Sequence, residues 1–199
     1  PIDPVRYIAN RSSGAQGTAI AAALRDLGAR VSFVTGPADV APPEGVEVIA
    51  VETARQMREA VERALPADAA VMAAAVADWK VANAADRKLK KDGSGQFPAL
   101  EFTENPDILA WISKLAARRP RLVVGFAAET HDVEDYARGK LERKRCDMIV
   151  ANDVSRSDIG FNSSENEVLL VYPDRTEFLE KAPKAQIALQ IIERACRQI

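Results

Sequence analysis

The sequence predicts an α/β fold in which a mostly parallel sheet lies between two layers of helices. Short apolar runs alternate with amphipathic segments of helical spacing along most of the chain, an order typical of parallel sheets. The run AAVMAAAVA at residues 69–77 has no polar position, as expected of a strand buried on both faces. The run EVLLVYPDRTEFLE at residues 167–180 predicts a hairpin that turns at residues 173–175. We therefore predict a three-layer, Rossmann-like domain with a C-terminal β-hairpin.

The first half of the chain is predicted to contain two helices and three strands. Gly28 ends the first helix, and the dipeptide Gly36-Pro37 ends the strand that follows it. Thr53 can cap the second helix, and Asp78 ends the buried apolar run. The predicted elements are a helix at 18–27, a strand at 31–35, a strand at 46–51, a helix at 53–65 and the strand at 69–77.

The second half is predicted in the same way, from helical spacing and from further buried runs. Apolar residues follow helical spacing from Asp107 to Arg118, as on the inner face of a helix. The runs that start at Leu122 and Met148 are short and apolar, as expected of buried strands. The predicted elements are a helix at 107–118, a strand at 122–127, a helix at 133–145, a strand at 148–151, the hairpin at 167–180 and a closing helix from Pro183.

Two segments depart from this alternation. Residues 85–104 carry a basic cluster and the sequence Asp-Gly-Ser-Gly, which is poor core material, so we expect a mobile flap there. The turn RSSGAQG at residues 11–17 opens the first helix, whereas doubly wound folds place such a glycine turn after a first strand. We expect residues 1–199 to form a single domain from which that first strand is missing.

Composition excludes several classes of protein. The 199 residues carry a net charge of −2, which does not attract a polyanion, so we expect no nucleic-acid partner. No apolar run reaches the roughly 20 residues that span a bilayer and no signal peptide is recognisable, so we expect a cytoplasmic protein with no membrane contact. With a single histidine, His131, and two distant cysteines, Cys146 and Cys196, a Cys/His metal cluster is excluded and free thiols are expected.

The remaining polar residues favour chemistry at phosphorus. The sequence has no Gly-x-Ser-x-Gly elbow and no GxxxxGK[ST] loop, which argues against covalent hydrolases and P-loop ATPases. Lysine, asparagine, aspartate and backbone amides suit transfer at phosphorus, where the protein positions the reactants and offsets charge. A lysine on a closing flap is a suitable electrophile, because it can arrive with the substrate and leave with the product.

Tyr136 and Lys140 leave a second class of enzyme open. Their Tyr-x-x-x-Lys spacing puts both side chains on one helical face, as in short-chain dehydrogenases, which bind NAD(P). The Gly-x-Gly-x-x-Gly fingerprint that should accompany the pair is absent. The same spacing aligns Lys140 with Lys144, which would aim two ammonium groups at one anion. A third interpretation is a non-catalytic module for nucleotide binding or assembly.

Several motifs, taken together, resemble one enzyme family. They are DPVRYIANRSSGAQG, AAAVADW, KLKK, NPDI, VGFAAET, KLERKRCDMIVANDV and FNSSEN. In this order and spacing they are similar to the bacterial phosphopantothenoylcysteine synthetases. In most bacteria this synthetase is the C-terminal half of a bifunctional protein of coenzyme A biosynthesis, whose N-terminal half is a flavin-dependent decarboxylase.

The resemblance implies a ligase that works in two steps. CTP reacts with the carboxylate of 4′-phosphopantothenate to give an acyl cytidylate and pyrophosphate, and the amine of L-cysteine then displaces CMP. Mg²⁺ is expected on the triphosphate, because two anions have to approach each other. FMN is expected only in a decarboxylase half, where one is attached. The resemblance also implies a homodimer, with the hairpin at 167–180 as an interface element.

The resemblance assigns roles to residues along the whole chain. Asn10 matches the asparagine tied to conversion of the acyl cytidylate, and Lys88 matches the flap lysine tied to its formation. Many relatives carry lysine at the position of Ala15, so here the backbone of the turn is expected to bind the anion. The expected CTP contacts are Ala73, Ala74, Asp78, Lys88, Pro106, Asp107, Ile108, Leu109, Phe126, Lys140 and Lys144. The expected phosphate and substrate contacts are Arg6, Asn10, Ser12, Ser13 and Gly14.

Overall fold

The computed structural model describes residues 1–90, 99–155, 158 and 163–199. Residues 91–98, which include Lys91 and the Asp-Gly-Ser-Gly sequence of the predicted flap, lie outside the described residues. The helices are α1 (Ala15–Asp26), α2 (Ala54–Arg63), α3 (Ile108–Ser113), α4 (Val133–Lys144) and α5 (Lys184–Cys196). The strands are β1 (Ser32–Thr35), β2 (Glu47–Ala50), β3 (Ala69–Met72), β4 (Trp79–Val81), β5 (Phe102–Glu104), β6 (Leu122–Glu129), β7 (Met148–Asp153), β8 (Glu165–Val171) and β9 (Thr176–Pro183).

The centre of the domain is a five-stranded sheet in the order β3-β6-β7-β8-β9. Strands β3, β6 and β7 run parallel, with Ala70 beside Val123 and Gly125 beside Ile149. Strands β8 and β9 are antiparallel and form the predicted hairpin. Strands β1 and β2 form a separate parallel pair, and no strand precedes α1 in the described part of the chain. The predicted α/β class and hairpin are therefore confirmed.

Helices cover both faces of the sheet, as the continuous apolar runs require. On one face, Val123 and Ile149 belong to a core cluster that includes residues of α2, α3 and α4. On the other face, Val124 and Val150 pack with residues of α5. Strands buried on both sides have no polar face, which is why their sequences show no alternation. The three-layer prediction is confirmed.

Two predicted elements extend too far. The strand predicted to residue 77 ends at Met72, and the residues after it continue as irregular chain. The helix predicted to Arg118 ends at Ser113, because the Arg119 side chain donates a 2.8 Å hydrogen bond to the Ser113 carbonyl. Arg118 itself has a φ of 62°, in the left-handed region that interrupts a helix. The apolar residues beyond both ends are exposed or only half-buried, so apolar composition there predicted neither secondary structure nor burial.

Strands β4 and β5 form the base of the predicted flap and were not predicted. They pair antiparallel, with Lys80 opposite Thr103. Beyond their ends, the Ala82 amide donates to the Glu101 carbonyl at 2.8 Å. Each strand has three residues, too few for a recognisable alternation. The predicted flap is therefore connected to the domain through the antiparallel pair β4–β5.

The C-terminal hairpin is more deeply placed than an exposed interface element would be. Strand β8 pairs with β7 on one side and β9 on the other, and Leu170 and Val171 are fully buried. Of the two hairpin strands, β9 alone lies at an edge of the sheet formed by the described strands, and its Phe178 is 56% exposed. An interface at the hairpin would therefore involve the exposed edge of β9 and not β8, which is paired on both sides.

Two further predictions concern membranes and thiols. Within the described residues, no helix combines the length and apolar character needed to span a bilayer. Cys146 and Cys196 are both free, the first buried and the second exposed. The prediction of free thiols is confirmed.

Candidate functional site

The N-terminus of α1 lies against the loops that follow β1 and β3. A Cβ atom placed on Gly14 would lie 2.8 Å from the Cβ of Ala38, in the loop after β1. One placed on Gly17 would lie 3.7 Å from the Cβ of Ala73, in the loop after β3. These are the carboxyl ends of parallel strands, where open α/β sheets bind their ligands. The turn at residues 11–17, predicted to bind phosphate and called the phosphate turn below, therefore lies against the loop that contains Ala73, a predicted CTP contact.

The turn RSSGAQG presents hydroxyl and amide groups in the described structure. Gly14 has a φ of 76° and caps α1, a conformation that favours glycine. The Ser12 Oγ accepts from the Gly14 amide and the Ser13 Oγ from the Ala15 amide, each at 3.4 Å. The Ser13 carbonyl accepts from the Asp39 amide at 3.1 Å. This geometry places donors and the positive end of a 12-residue helix at one point.

Asn10 joins the segment before the turn to the loop after β3. Its Nδ2 donates a 3.2 Å hydrogen bond to the carbonyl of Val76, and the residue is exposed. Asp78 lies two residues further along the same loop and is also exposed. The structure thus brings three predicted positions, Asn10, Ala73 and Asp78, onto one loop system.

Asn105 shapes this loop and was missed in the sequence. Its Nδ2 donates to the carbonyls of Ala77 at 2.9 Å and Trp79 at 3.2 Å, and its amide donates to the Asp78 carbonyl at 2.8 Å. Asn105 therefore fixes the backbone on both sides of Asp78. The asparagine stands directly before Pro106, where the sequence indicated only the start of a helix.

Lys140 and Lys144 lie one turn apart on α4, and each already has an oxygen partner. Lys140 Nζ donates a 2.7 Å hydrogen bond to the Phe126 carbonyl, in the second half of β6. Lys144 Nζ forms a hydrogen-bonded ion pair with the carboxylate of Asp107. Asp107 also caps α3 by accepting from the Ala110 amide at 2.9 Å. The expectation that both ammonium groups point at one anion needs this correction.

The charges around Lys140 are mixed. Burial lowers the pKa of Lys140, and the neighbouring charges of Glu129 and Asp78 act against that shift. Burial is the largest single effect on the pKa of Asp107 and raises it, but the Lys144 hydrogen bond, the Ala110 amide and the charges of Lys144 and Lys140 together outweigh burial, so the net pKa is lowered. Glu129 was missed in the sequence, although its position at the carboxyl end of β6 was a usable signal. Three carboxylates therefore offset two lysines in this part of the site.

The structure does not support the short-chain dehydrogenase interpretation, which needs Tyr136 and Lys140 to act together. The Tyr136 hydroxyl contacts Nε2 of His131 at 3.3 Å, and the two rings pack edge to face. Lys140 is held by Phe126, so the two side chains have different partners. A dehydrogenase needs the lysine to act on the tyrosine, and the structure does not favour that arrangement.

Arg6 lies at the root of the flap. Its guanidinium binds the Asp3 carboxylate and donates a 3.1 Å hydrogen bond to the Leu89 carbonyl. Lys88, the neighbour of Leu89, is exposed. Arg6 is predicted to lie near Ser12 and the turn at residues 11–17; the structure gives it Asp3 and Leu89, the neighbour of Lys88, as partners.

No cluster of three or more His, Cys, Asp or Glu residues suitable for a metal ion occurs in residues 1–90, 99–155, 158 and 163–199. Mg²⁺ seldom needs such a cage, because it keeps water ligands and binds substrate phosphates with one or two carboxylates. Asp78, exposed and close enough to influence Lys140, is one carboxylate of this kind. The residues fit a metal delivered with a polyphosphate.

Comparison with known proteins gives a consistent result. The model of the family described as "DNA/pantothenate metabolism flavoprotein C-terminal domain" matches residues 1–198. The coenzyme A biosynthesis bifunctional protein CoaBC of Vibrio parahaemolyticus is 46% identical over 194 residues, which cover 97% of this chain and 48% of that protein. The chain thus spans about half the length of the curated relatives it matches.

Solved structures share the fold. The crystal structure of the C-terminal domain of CoaBC superposes with a TM-score of 0.78 at 34% identity and covers 97% of this chain and 86% of that one. The DNA/pantothenate metabolism flavoprotein from Streptococcus pneumoniae has a TM-score of 0.82 at 20% identity, covering 100% of this chain and 94% of that one. At that identity the second comparison supports the fold alone.

Proposed function

Because the chain belongs to the family of the DNA/pantothenate metabolism flavoprotein C-terminal domain, we propose that it is a phosphopantothenate-cysteine ligase of coenzyme A biosynthesis. The supporting observation is the meeting of the phosphate turn, Asn10 and the Asp78 loop at the carboxyl ends of β1 and β3. We propose that residues 1–199 act as one synthetase domain in the cytoplasm. A decarboxylase half with FMN would belong to a longer chain such as the bifunctional relatives.

The first step is attack on CTP. A carboxylate oxygen of 4′-phosphopantothenate forms a bond to the α-phosphorus, and the bond from that phosphorus to the β-phosphate oxygen breaks. Pyrophosphate leaves with the electron pair, and an acyl cytidylate remains. Positive groups have to offset the repulsion between the two anions.

The protein supplies positive groups for this step from two sides. Lys140 lies beside Phe126 of β6 and Lys144 beside Asp107, and Lys88 is carried by the flap. Because Asp78, Asp107 and Glu129 offset the two α4 lysines, additional positive charge is needed when a triphosphate binds. Lys88 would supply part of it, and a Mg²⁺ ion arriving on the triphosphate would supply the rest, with Asp78 as the carboxylate that would hold it. Lys88 neutralises the α-phosphate as its charge develops.

CTP is proposed to lie along the loops after β3 and β6. Ala73 and Ala74 leave room for the nucleotide, and the start of α3 lies beside Lys144 through Asp107. Binding of the triphosphate requires Lys144 to exchange its partner Asp107 for phosphate. The remaining CTP contacts of this proposal are Pro106, Ile108, Leu109 and Phe126.

The second step uses Asn10. The amine nitrogen of L-cysteine forms a bond to the acyl carbon, the bond from that carbon to the phosphate oxygen breaks, and CMP leaves with the electron pair. The amine releases its proton to solvent. The side-chain amide of Asn10, which now donates to Val76, can donate instead to the oxygen that becomes negative during the attack.

The phosphate of 4′-phosphopantothenate is assigned to the turn. Ser12, Ser13 and Gly14 offer hydroxyl and amide donors at the start of α1, and Ala15 adds no charge there. Arg6 contributes from the flap root. We also propose a homodimer, in which the exposed edge of β9 is one candidate contact.

The function is tested by following the two products separately. The protein is mixed with CTP, Mg²⁺ and 4′-phosphopantothenate, and pyrophosphate is measured; L-cysteine is then added and CMP is measured. The proposal expects pyrophosphate first and CMP only after cysteine. Calorimetric binding of CTP without either product would favour the non-catalytic module, and a fluorescence titration with NADPH checks the dehydrogenase alternative.

A further inference from the structure

Asp3 is a buried carboxylate outside the set of predicted site residues. It is 3% exposed, although Pro4 and the residues that follow it are open to solvent. Its Oδ1 accepts from the amides of Val5 and Arg6, each at 2.9 Å, and its Oδ2 accepts from Arg6 Nε at 3.0 Å. The hydrogen bond from the Arg6 side chain, together with backbone donors, holds the pKa of Asp3 well below its usual range. A charge this well satisfied fixes the shape of the chain around it.

Asp3 and Arg6 also hold one residue of the flap by both of its backbone groups. The Leu89 amide donates to Asp3 Oδ2 at 3.1 Å, and the Leu89 carbonyl accepts from Arg6 Nη2 at 3.1 Å. A third contact lies nearby, where the Ala85 amide donates to the Ile2 carbonyl at 2.9 Å. The first six residues of the chain therefore tie down residues 85–89.

This attachment lies directly beside Lys88. Lys88 is exposed and has a long, rotatable side chain, so its reach depends on how its backbone is held. Fixing both backbone groups of the next residue removes most of the freedom of the Lys88 Cα. Without that attachment the ammonium group would spend less time where the α-phosphate has to be.

We propose that Asp3 is a positioning residue that, through Leu89, holds the flap lysine Lys88 for the first step of the reaction. This inference rests on the proposed ligase function, because it takes its meaning from the role of Lys88. It adds Asp3, which lies 86 positions before Leu89 in the sequence, to the residues proposed to act in the first step. Asp3 does not touch substrate and acts only by fixing the flap root.

The test is a double-mutant cycle with the two steps measured separately. Asp3→Asn is nearly isosteric and removes the charge that holds Arg6, while Lys88→Gln removes the ammonium group. Pyrophosphate release reports the first step, and CMP release from preformed acyl cytidylate reports the second. We expect Asp3→Asn to slow pyrophosphate release by about tenfold and to leave the second step within about twofold.

The decisive comparison is the double variant. Once Lys88 is replaced, Asp3→Asn should slow the first step no further, because its effect passes through that lysine. The proposal would be overturned if the rate reductions of the two single variants multiply in the double variant. It would also be overturned if Asp3→Asn slows both steps equally or slows neither. Asp174→Asn, which changes an exposed aspartate paired with Arg175, is the matched control and should behave as the unchanged protein.

Two further measurements check that Asp3 holds Leu89 and cover the case in which Asp3→Asn does not fold. Hydrogen exchange of the Leu89 amide should be slow in the unchanged protein and fast in Asp3→Asn, and equal exchange would contradict the attachment. Should Asp3→Asn not fold, Asp3→Glu keeps the charge but displaces Leu89, and the same selective loss of the first step is expected. An unchanged protein that releases no pyrophosphate would contradict the ligase proposal itself, whereas an active one with multiplying effects would contradict only the role of Asp3.

Discussion

The ammonium group of Lys140 lies 2.7 Å from the backbone oxygen of Phe126, in the second half of strand β6. Burying an ammonium group is costly unless it is paired, and the pKa of Lys140 is lowered for that reason. The Phe126 carbonyl and the neighbouring acids Glu129 and Asp78 offset part of this cost. The Lys140 ammonium group is thus held where we propose that the phosphates of CTP bind.

Replacing Lys140 should weaken the use of CTP. Lys140→Met keeps the length and apolar stem of the side chain and removes the charge, so we expect the KM for CTP to rise about tenfold or more, the effect of one charge-assisted hydrogen bond. Steady-state pyrophosphate release at varied CTP concentration measures this change. Lys114→Met, at an exposed lysine after α3, is the control and should leave the KM unchanged. Equal rises in both variants would argue against a local role.

Lys88 and Asn10 should affect different steps. Lys88→Gln should slow pyrophosphate release strongly to a residual but measurable rate, because the α-phosphate loses its neutralising charge in the first step. Asn10→Asp should permit pyrophosphate release but slow amide formation, because a carboxylate cannot donate to the developing oxyanion. Single-turnover measurements of both products separate the two effects. Loss of both steps to the same extent in both variants would contradict these assignments.

Gly125 should resist any larger side chain. A Cβ atom placed there would lie 2.6 Å from Cδ2 of Leu109 and 2.7 Å from Cδ1 of Ile149, which belong to the same core cluster. Gly125→Ala is therefore expected to cost about 1–3 kcal/mol in the free energy of unfolding, as overpacking does. Chemical unfolding followed by circular dichroism measures the loss.

Gly139 provides a control with the same substitution and the opposite expected sign. It lies inside α4, and a Cβ atom there would approach only the flexible end of the Arg143 side chain, at 3.0 Å. Gly139→Ala should stabilise the protein by about 0.5–1 kcal/mol, because alanine favours a helix. A destabilisation of similar size in both variants would contradict the packing explanation for Gly125.

The two thiols should react at different rates. Burial raises the pKa of Cys146 to about 11, while Cys196 is exposed near the C-terminus. At pH 8 only about 0.1% of the Cys146 thiol would be ionised, and access is limited as well. Alkylation with iodoacetamide, followed by mass spectrometry, should label Cys196 first and Cys146 only after unfolding. Labelling of both at one rate in the folded protein would contradict the burial of Cys146.

The order of the elements was predictable from the sequence, but several of their ends and contacts were not. Apolar runs indicate which segments are buried, so β6 and β7 could be placed from the sequence alone. The end of α3 depends on a hydrogen bond from Arg119, which no apolar pattern records. The pairing of Asp3 with Leu89 spans 86 positions, and local spacing carries no information about so distant a partner. Asn105 was missed for the same reason, since its role lies in the loop it holds.

The ion pair between Asp107 and Lys144 should make a pH-dependent contribution to stability. The pKa of Asp107 is lowered in the folded protein, since burial, the largest single effect, raises it but is outweighed by the combined Lys144 hydrogen bond, Ala110 amide and charges of Lys144 and Lys140. A carboxyl whose folded pKa lies below its unfolded value of about 3.9 stabilises the fold above that pH and loses its contribution as the pH falls through the folded value. The contribution should therefore be present at neutral pH and be lost progressively as the pH falls below about 4.

Asp107→Asn isolates the contribution of the Asp107–Lys144 ion pair to stability, because asparagine caps a helix about as well as aspartate. The variant should lose at most about 1 kcal/mol at pH 7, the usual size for a partly exposed pair, and nothing measurable near pH 2. Urea unfolding at both pH values measures the difference, with Asp174→Asn as the control at an exposed pair. A loss that is equal at the two pH values would show that the aspartate acts through its cap and not through Lys144.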